Sequence, residues 1–190
     1  MGWKCYKLCY RLKSPLHIGY HTLGFIQRTR TYIPGRNIWG AITEKLTELL
    51  WPDKEGPYSK MKELIKKSII PSYFYPGLRR IIPIFPSFSD NLMDINAQLS
   101  HFLVSSSGKT AITPENWTAE EGSLHEIEYI NPFFQGEEII FTGYFFLKED
   151  FKIEENRISW DYLKSAISDL QLGGDRHYGF GKLSLDFSVE

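Results

Sequence analysis

Apolar and polar residues alternate from Trp3 to Leu12 (WKCYKLCYRL), the period of two that sends successive side chains to opposite faces of a half-buried strand. From Ser14 to Gly35 the alternation dissolves, and Pro15, Gly19, Gly24, Pro34 and Gly35 read as one long loop. Loops of that length usually carry function or lack order. Ile38, Ala41, Ile42, Leu46, Leu49 and Leu50 then fall at helical spacing within 36–51, and Pro52 stops the run. A second, basic helix is predicted over 58–69, before Pro71 and an aromatic-rich stretch to Pro86 that prolines break. Residues 100–105, 125–130 and 137–147 have the β-branched and aromatic content of strands. Ile158, Tyr162, Leu163, Ala166, Ile167 and Leu170 share a helical face over 158–170, and KLSLDFSV, 182–189, alternates as a closing strand.

That order of elements predicts an α+β fold: a ferredoxin-like split βαβ sheet with inserted loops. With 190 residues, 42% of them apolar, and no internal repeat or linker, a single domain over 1–190 is expected. No window approaches the roughly 18 consecutive apolar residues of a membrane span, and the first residues lack the apolar core of a signal peptide. A cytoplasmic location with no membrane partner follows as the expectation.

Charge changes the picture more than composition does. The net charge of −1 conceals an N-terminal segment, residues 1–43, that holds Lys4, Lys7, Arg11, Lys13, Arg28, Arg30 and Arg36 and no acid. Residues 115–155 hold eleven acids against Lys148 and Lys152. Because salt confines each charge to about 10 Å, a local basic field can hold phosphates on a nearly neutral protein. The acidic segment is then expected to face a neighbouring protein or solvent.

Two glycine-bearing loops are the candidates for chemistry. In YIPGRNIWGA, Tyr32–Ala41, a left-handed Gly35 would precede Arg36 and Asn37 at a helix start, where free N–H groups attract phosphate. In LGGDRHYGFGKL, Leu172–Leu183, Gly173, Gly174, Gly179 and Gly181 would let backbone approach a ligand beside Arg176 and His177. Neither is a dinucleotide cradle, since the second lies between a helix and a strand in the wrong order. Gly108-Lys109-Thr110 resembles the end of a P-loop, but Leu103 stands where its first glycine belongs. Cys5 and Cys9 lie about 13 Å apart on an extended strand, too far to share a zinc ion, so both are expected in the core and no metal or cofactor is implied. His17 and His21 are candidate general bases, because an imidazole of ordinary pKa can take a proton from a ribose 2′-hydroxyl.

SPLHIG (Ser14–Gly19), YIPGRNIWGAI (Tyr32–Ile42) and LGGDRHYGFGKL together resemble the repeat-associated mysterious protein superfamily of CRISPR effector complexes. The resemblance spans the chain nearly end to end. It implies a structural subunit of a type III effector in antiviral defence, holding a CRISPR guide RNA by glycine loops and a basic face. Arg28, Arg30, Gly35, Arg36, Asn37, Gly173, Gly174, Arg176, His177 and Gly179 are the implied RNA-binding residues. Implied partners are the guide, other effector subunits, and target RNA reached through the guide. Members that cut target RNA carry an Asp in the loop after the first strand, whereas residues 14–43 here contain no acid, so no target cleavage is expected. The alternative is a metal-independent endoribonuclease that processes precursor CRISPR RNA through His17 or His21.

Overall fold

The computed structural model describes residues 2–51, 58–78, 102–115, 117–153 and 156–189. In chain order the principal elements, two-residue strands aside, are β1 (Trp3–Leu12), β2 (Gly19–Leu23), β3 (Ile26–Thr29), α1 (Gly35–Leu50), α2 (Tyr58–Ser68), β4 (Ile69–Pro71), β5 (Tyr75–Leu78) and β6 (Val104–Lys109). They continue as β7 (His125–Ile130), β8 (Glu137–Lys148), α3 (Trp160–Ala166), β9 (Asp169–Gln171) and β10 (Lys182–Val189). The larger sheet is antiparallel throughout. β1 lies at its centre between β8 and β10, β9 extends it beyond β10, and β4 and β5 both pair with the far side of β8.

The alternation read in β1 decides its burial. Tyr6, Leu8, Tyr10 and Leu12 are buried with Ile139, Phe141, Phe145 and Leu147 of β8, and α1 covers them with Ile38, Ala41, Ile42 and Leu46. Each buried Leu, Ile or Phe among them contributes roughly 1.5–3 kcal/mol against the unfolded chain. Two tyrosines of β1 reach α3: Tyr6 stacks on Trp160 at 3.7 Å, and Tyr10 donates its hydroxyl proton to the carbonyl of Ile167 at 2.9 Å. α1 also touches α2, α3, β4 and β9.

β1, β7 and β10 occupy the predicted spans, β8 and α2 differ from theirs by one residue at one end, and α1 is shifted by one residue at both ends. Elsewhere the structure departs from the sequence expectation. Residues 158–170 do not form one helix. Ser159 caps α3 by accepting the N–H of Tyr162, the helix ends at Ala166, and β9 begins three residues later. Leu163, Ala166, Ile167 and Leu170 are still all buried, because a short helix and a strand bonded to β10 satisfy the same apolar positions. The strand expected over 100–105 lies at Val104–Lys109, with residues 100 and 101 outside the described residues. Within the proline-broken stretch, Ile69–Pro71 and Tyr75–Leu78 pair with β8, while 79–86 lies outside the described residues.

The expected loop of 14–35 instead holds two strands, β2 and β3. β2 and β3 form a hairpin around Gly24, whose φ of +60° suits a residue without Cβ. β3 then runs parallel to β7, and β7 antiparallel to β6, giving a second, four-stranded sheet. All five residues of β2 are exposed, so no apolar alternation marks the strand in the sequence.

Candidate nucleic-acid interface

The two loops singled out by the sequence are brought together, and backbone geometry shows how. Leaving β1, the chain is stitched to the C-terminal glycine loop: Lys13 donates to the Lys182 carbonyl at 2.8 Å, Gly181 to Pro15 at 2.8 Å, and Gly174 to His17 at 2.9 Å. This contact explains the glycines. A Cβ on Gly173, whose φ is +91°, would stand 2.5 Å from the His17 carbonyl oxygen, and one on Gly174 would stand 2.9 Å from the His17 ring. A Cβ on Gly181 would overlap the Leu172 carbonyl. The backbone approached by Gly173, Gly174 and Gly181 is therefore the protein's own. Gly179, with φ +85° and open space around its Cα, is the glycine of this loop that faces outward.

Gly35 departs from its expectation in a similar way. It is the first residue of α1 without a left-handed φ, and a Cβ there would run into the carbonyls of Pro71 and Ser72. The glycine lets the helix start sit directly on β4. Pro34, fixed near φ −61°, gives the extended entry but offers no side-chain cap, and the Asn37 N–H turns back to donate to the Pro34 carbonyl at 2.9 Å. Beside this helix start lies a groove lined by Arg36, Asn37, Gly40, Glu44, Gly173 and Arg176. The helix start and the glycine loop thus form the two walls of one groove. The side-chain oxygen of Asn37 is buried there without a hydrogen-bond partner among the described residues.

The basic segment is less free than its composition suggests. Arg28 pairs with Glu128 at 3.1 Å, Arg11 with Asp186 at 2.6 Å and Glu138 at 3.3 Å, and Arg176 with Glu44 at 2.5 Å. Glu128 and Glu138 come from the acidic segment, which therefore folds back in part onto the basic one. The expectation that it faces only a neighbour or solvent is corrected at these positions. Among the described residues, Arg30 and Arg36 have no carboxylate partner. Arg36 is exposed at the groove, and Arg30 lies over the rings of Tyr20 and Tyr32.

Lys109 was passed over in the sequence because the P-loop reading fails there. In the structure it pairs with Asp175 and lies 4.5 Å from the Tyr178 ring centre and 5.1 Å from that of Phe180. Tyr178, 76% exposed, and His177 beside it project from a single 3₁₀ turn between two left-handed residues, Asp175 and Gly179. Only the antiparallel register of β6 on β7 carries Lys109 to this loop, and no local motif encodes it.

The histidines divide. His17 is 8% exposed, bonded through Nδ1 to the Glu128 carbonyl at 2.7 Å and packed beneath Gly174. His21 is exposed on β2 with its ring edge-on to Tyr20. Cys9 is buried against the Thr142 hydroxyl, where desolvation raises its thiol pKa, whereas Cys5 is exposed, contrary to expectation. Among the described residues no three His, Cys, Asp or Glu side chains gather as a metal set, and no helix is long and apolar enough to cross a membrane.

An antiparallel sheet covered by helices, with its first and last loops locked beside a helix start, defines an α+β protein whose polar residues converge on one groove. The chain belongs to the RAMP superfamily, whose sequence profile matches residues 10–184. No curated protein matches it in sequence. Its fold is similar to a chain of the type III-B Cmr-β complex in the apo state, determined by cryo-EM, with TM-score 0.59 and 12% identity over 95% of this chain and 96% of that one. A chain of the type III-B Cmr-β complex bound to cognate target RNA gives TM-score 0.57 and 12% identity over 96% of both.

Proposed function

We propose that the chain is a guide-RNA-binding structural subunit of a type III CRISPR effector ribonucleoprotein in antiviral defence, acting in the cytoplasm as one RNA-binding domain. Target RNA is then reached through the guide, and other effector subunits are the protein partners. The observation that carries this reading is the groove between the α1 start and the Gly173–Arg176 loop, where Arg36 stands unpaired among the described residues. A guide must be held whatever its spacer sequence, which favours amides and cations acting on phosphate and ribose over contacts to base edges. The sheet supports a ferredoxin-like description: the order β9/β10, β1, β8, β4/β5 is that of a split βαβ repeat, with α1 following β1 and α3 following β8.

His17, enclosed and hydrogen-bonded to the Glu128 carbonyl, speaks for binding over cleavage. The test is a gel of the full chain with labelled CRISPR repeat-spacer RNA in EDTA at two salt concentrations. A shift that weakens with salt and leaves the RNA intact is expected. Absence of any shift, or a discrete product, would overturn the assignment.

A further inference from the structure

We infer that Tyr20, Arg30, Tyr32 and Tyr73 form a stacking platform for an unpaired nucleobase, deepening the RNA-binding reading on which it rests. An antiparallel bridge joins Ile33 to Phe74, each donating its N–H to the other's carbonyl at 2.9 Å. Ile33 and Phe74 are fully buried, so the period of two along an extended chain turns their neighbours Tyr32, Tyr73 and Tyr75 outward together. Tyr32 and Tyr73 stack with ring centres 5.5 Å apart and planes 16° from parallel. The Arg30 guanidinium lies toward the hydroxyl end of Tyr32, 5.8 Å from that ring centre, and 4.8 Å from the ring centre of Tyr20. The result is a short column, Tyr73 on Tyr32 with Arg30 between the Tyr32 hydroxyl and the Tyr20 ring, built from β2, the segment entering α1, and the β4–β5 connection.

Two features mark the column as a binding surface. Its terminal rings are open, with Tyr20 58% and Tyr73 51% exposed, although large aromatic surfaces are ordinarily covered. Its cation is also incompletely compensated. Arg30 donates to the Tyr32 hydroxyl at 3.1 Å, has no carboxylate partner among the described residues, and keeps a buried Nε without an acceptor. A half-buried guanidinium held by ring faces attracts an anion, and a ring stack ending in solvent attracts another flat ring. A nucleotide offers both, its base for the stack and its phosphate for the charge. Stacking of this kind tolerates any base, as a guide of variable sequence requires. Tyr32 precedes Arg36 of the groove by four residues.

The test compares the full chain's affinity, by fluorescence anisotropy over a salt series, for a short single-stranded RNA and for the same RNA carrying abasic residues with its sugar-phosphate chain intact. Abasic RNA should bind roughly tenfold more weakly with the same salt slope. Tyr20→Leu and Tyr73→Leu, both at exposed positions, should remove most of that difference, and Tyr73→Trp should keep it. Placing the abasic residue first in the guide and then in an overhanging complementary strand identifies which strand supplies the base. Equal affinity for the two RNAs, or a difference that survives both leucine variants, would refute the platform while leaving salt-sensitive binding in place. Failure to bind either RNA would refute the RNA-binding reading together with it.

Discussion

Arg28 and Glu128, a hundred residues apart, meet where the Arg28 Nε–H is shared between both carboxylate oxygens at 3.1 and 3.3 Å, and the same carboxylate accepts the backbone N–H of Thr29. One acid thus neutralises a cation of the basic segment and fixes the strand that carries it. Charge counted along the chain and charge available at the surface are different quantities here.

That difference gives the first prediction. Arg36→Ala should weaken RNA binding and lower the slope of log affinity against log salt by up to about 0.7, the share of one phosphate contact on a single strand. Arg28→Ala should leave the slope unchanged, because its charge is already spent on Glu128. Salt titrations of both variants decide the matter; equal losses would mean that the Arg28 pair opens to receive RNA.

The glycine loop should respond unevenly to alanine. At Gly179 the cost is the left-handed backbone alone, roughly 1–2 kcal/mol, since nothing crowds its Cα. At Gly181 the new methyl group also drives away the Leu172 carbonyl and breaks the 3.0 Å bond by which Leu172 donates to Gly181, for more than roughly 3 kcal/mol. Urea denaturation of the two variants should show that order.

His17→Ala should act on stability, costing about 1–3 kcal/mol through the loss of a buried hydrogen bond to Glu128. His21→Ala, at an exposed position, should stay within about 0.5 kcal/mol of the parent. Repeat-spacer RNA incubated in EDTA with either variant or the parent should remain intact. A product made by the parent and lost in either variant would reinstate the processing nuclease.

Alkaline pH probes the core. Burial raises the pKa of Tyr10 far above its ordinary value near 10, and burial together with Tyr32 and Tyr73 raises that of Tyr75. In such a case the unfolded chain loses its proton first. The contribution is complete below about pH 10 and declines as pH rises beyond it. Tyr10→Phe should flatten that decline while costing about 0.5–1.5 kcal/mol at neutral pH, where the bond to the Ile167 carbonyl is lost. Thermal melts across the alkaline range would show both effects.

Legibility in the sequence followed the physics of each element. β1 and β10 read correctly because one face of each meets the core, and α1 because Ile38, Ala41, Ile42 and Leu46 repeat with the helix. β2 left no trace, since a strand exposed at every position needs no alternation. The α3–β9 region misled because its apolar residues fit two geometries. At the groove, Arg36, Asn37, Gly173 and Arg176 were readable as motifs, and the fold brought them together. Tyr73 and Lys109 were not, because the Ile33–Phe74 bridge and the β6–β7 register that place them are long-range pairings.

The stitching of Pro15 and His17 to Gly181 and Gly174 also sets an order of events during synthesis. β1 is made first, yet its two neighbours begin at Glu137 and Lys182, so its edges wait unpaired while most of the chain is translated. Contacts so distant in sequence form late. A nascent chain interrupted before the glycine loop has the helix start but only one wall of the groove, so the groove exists only on a finished copy.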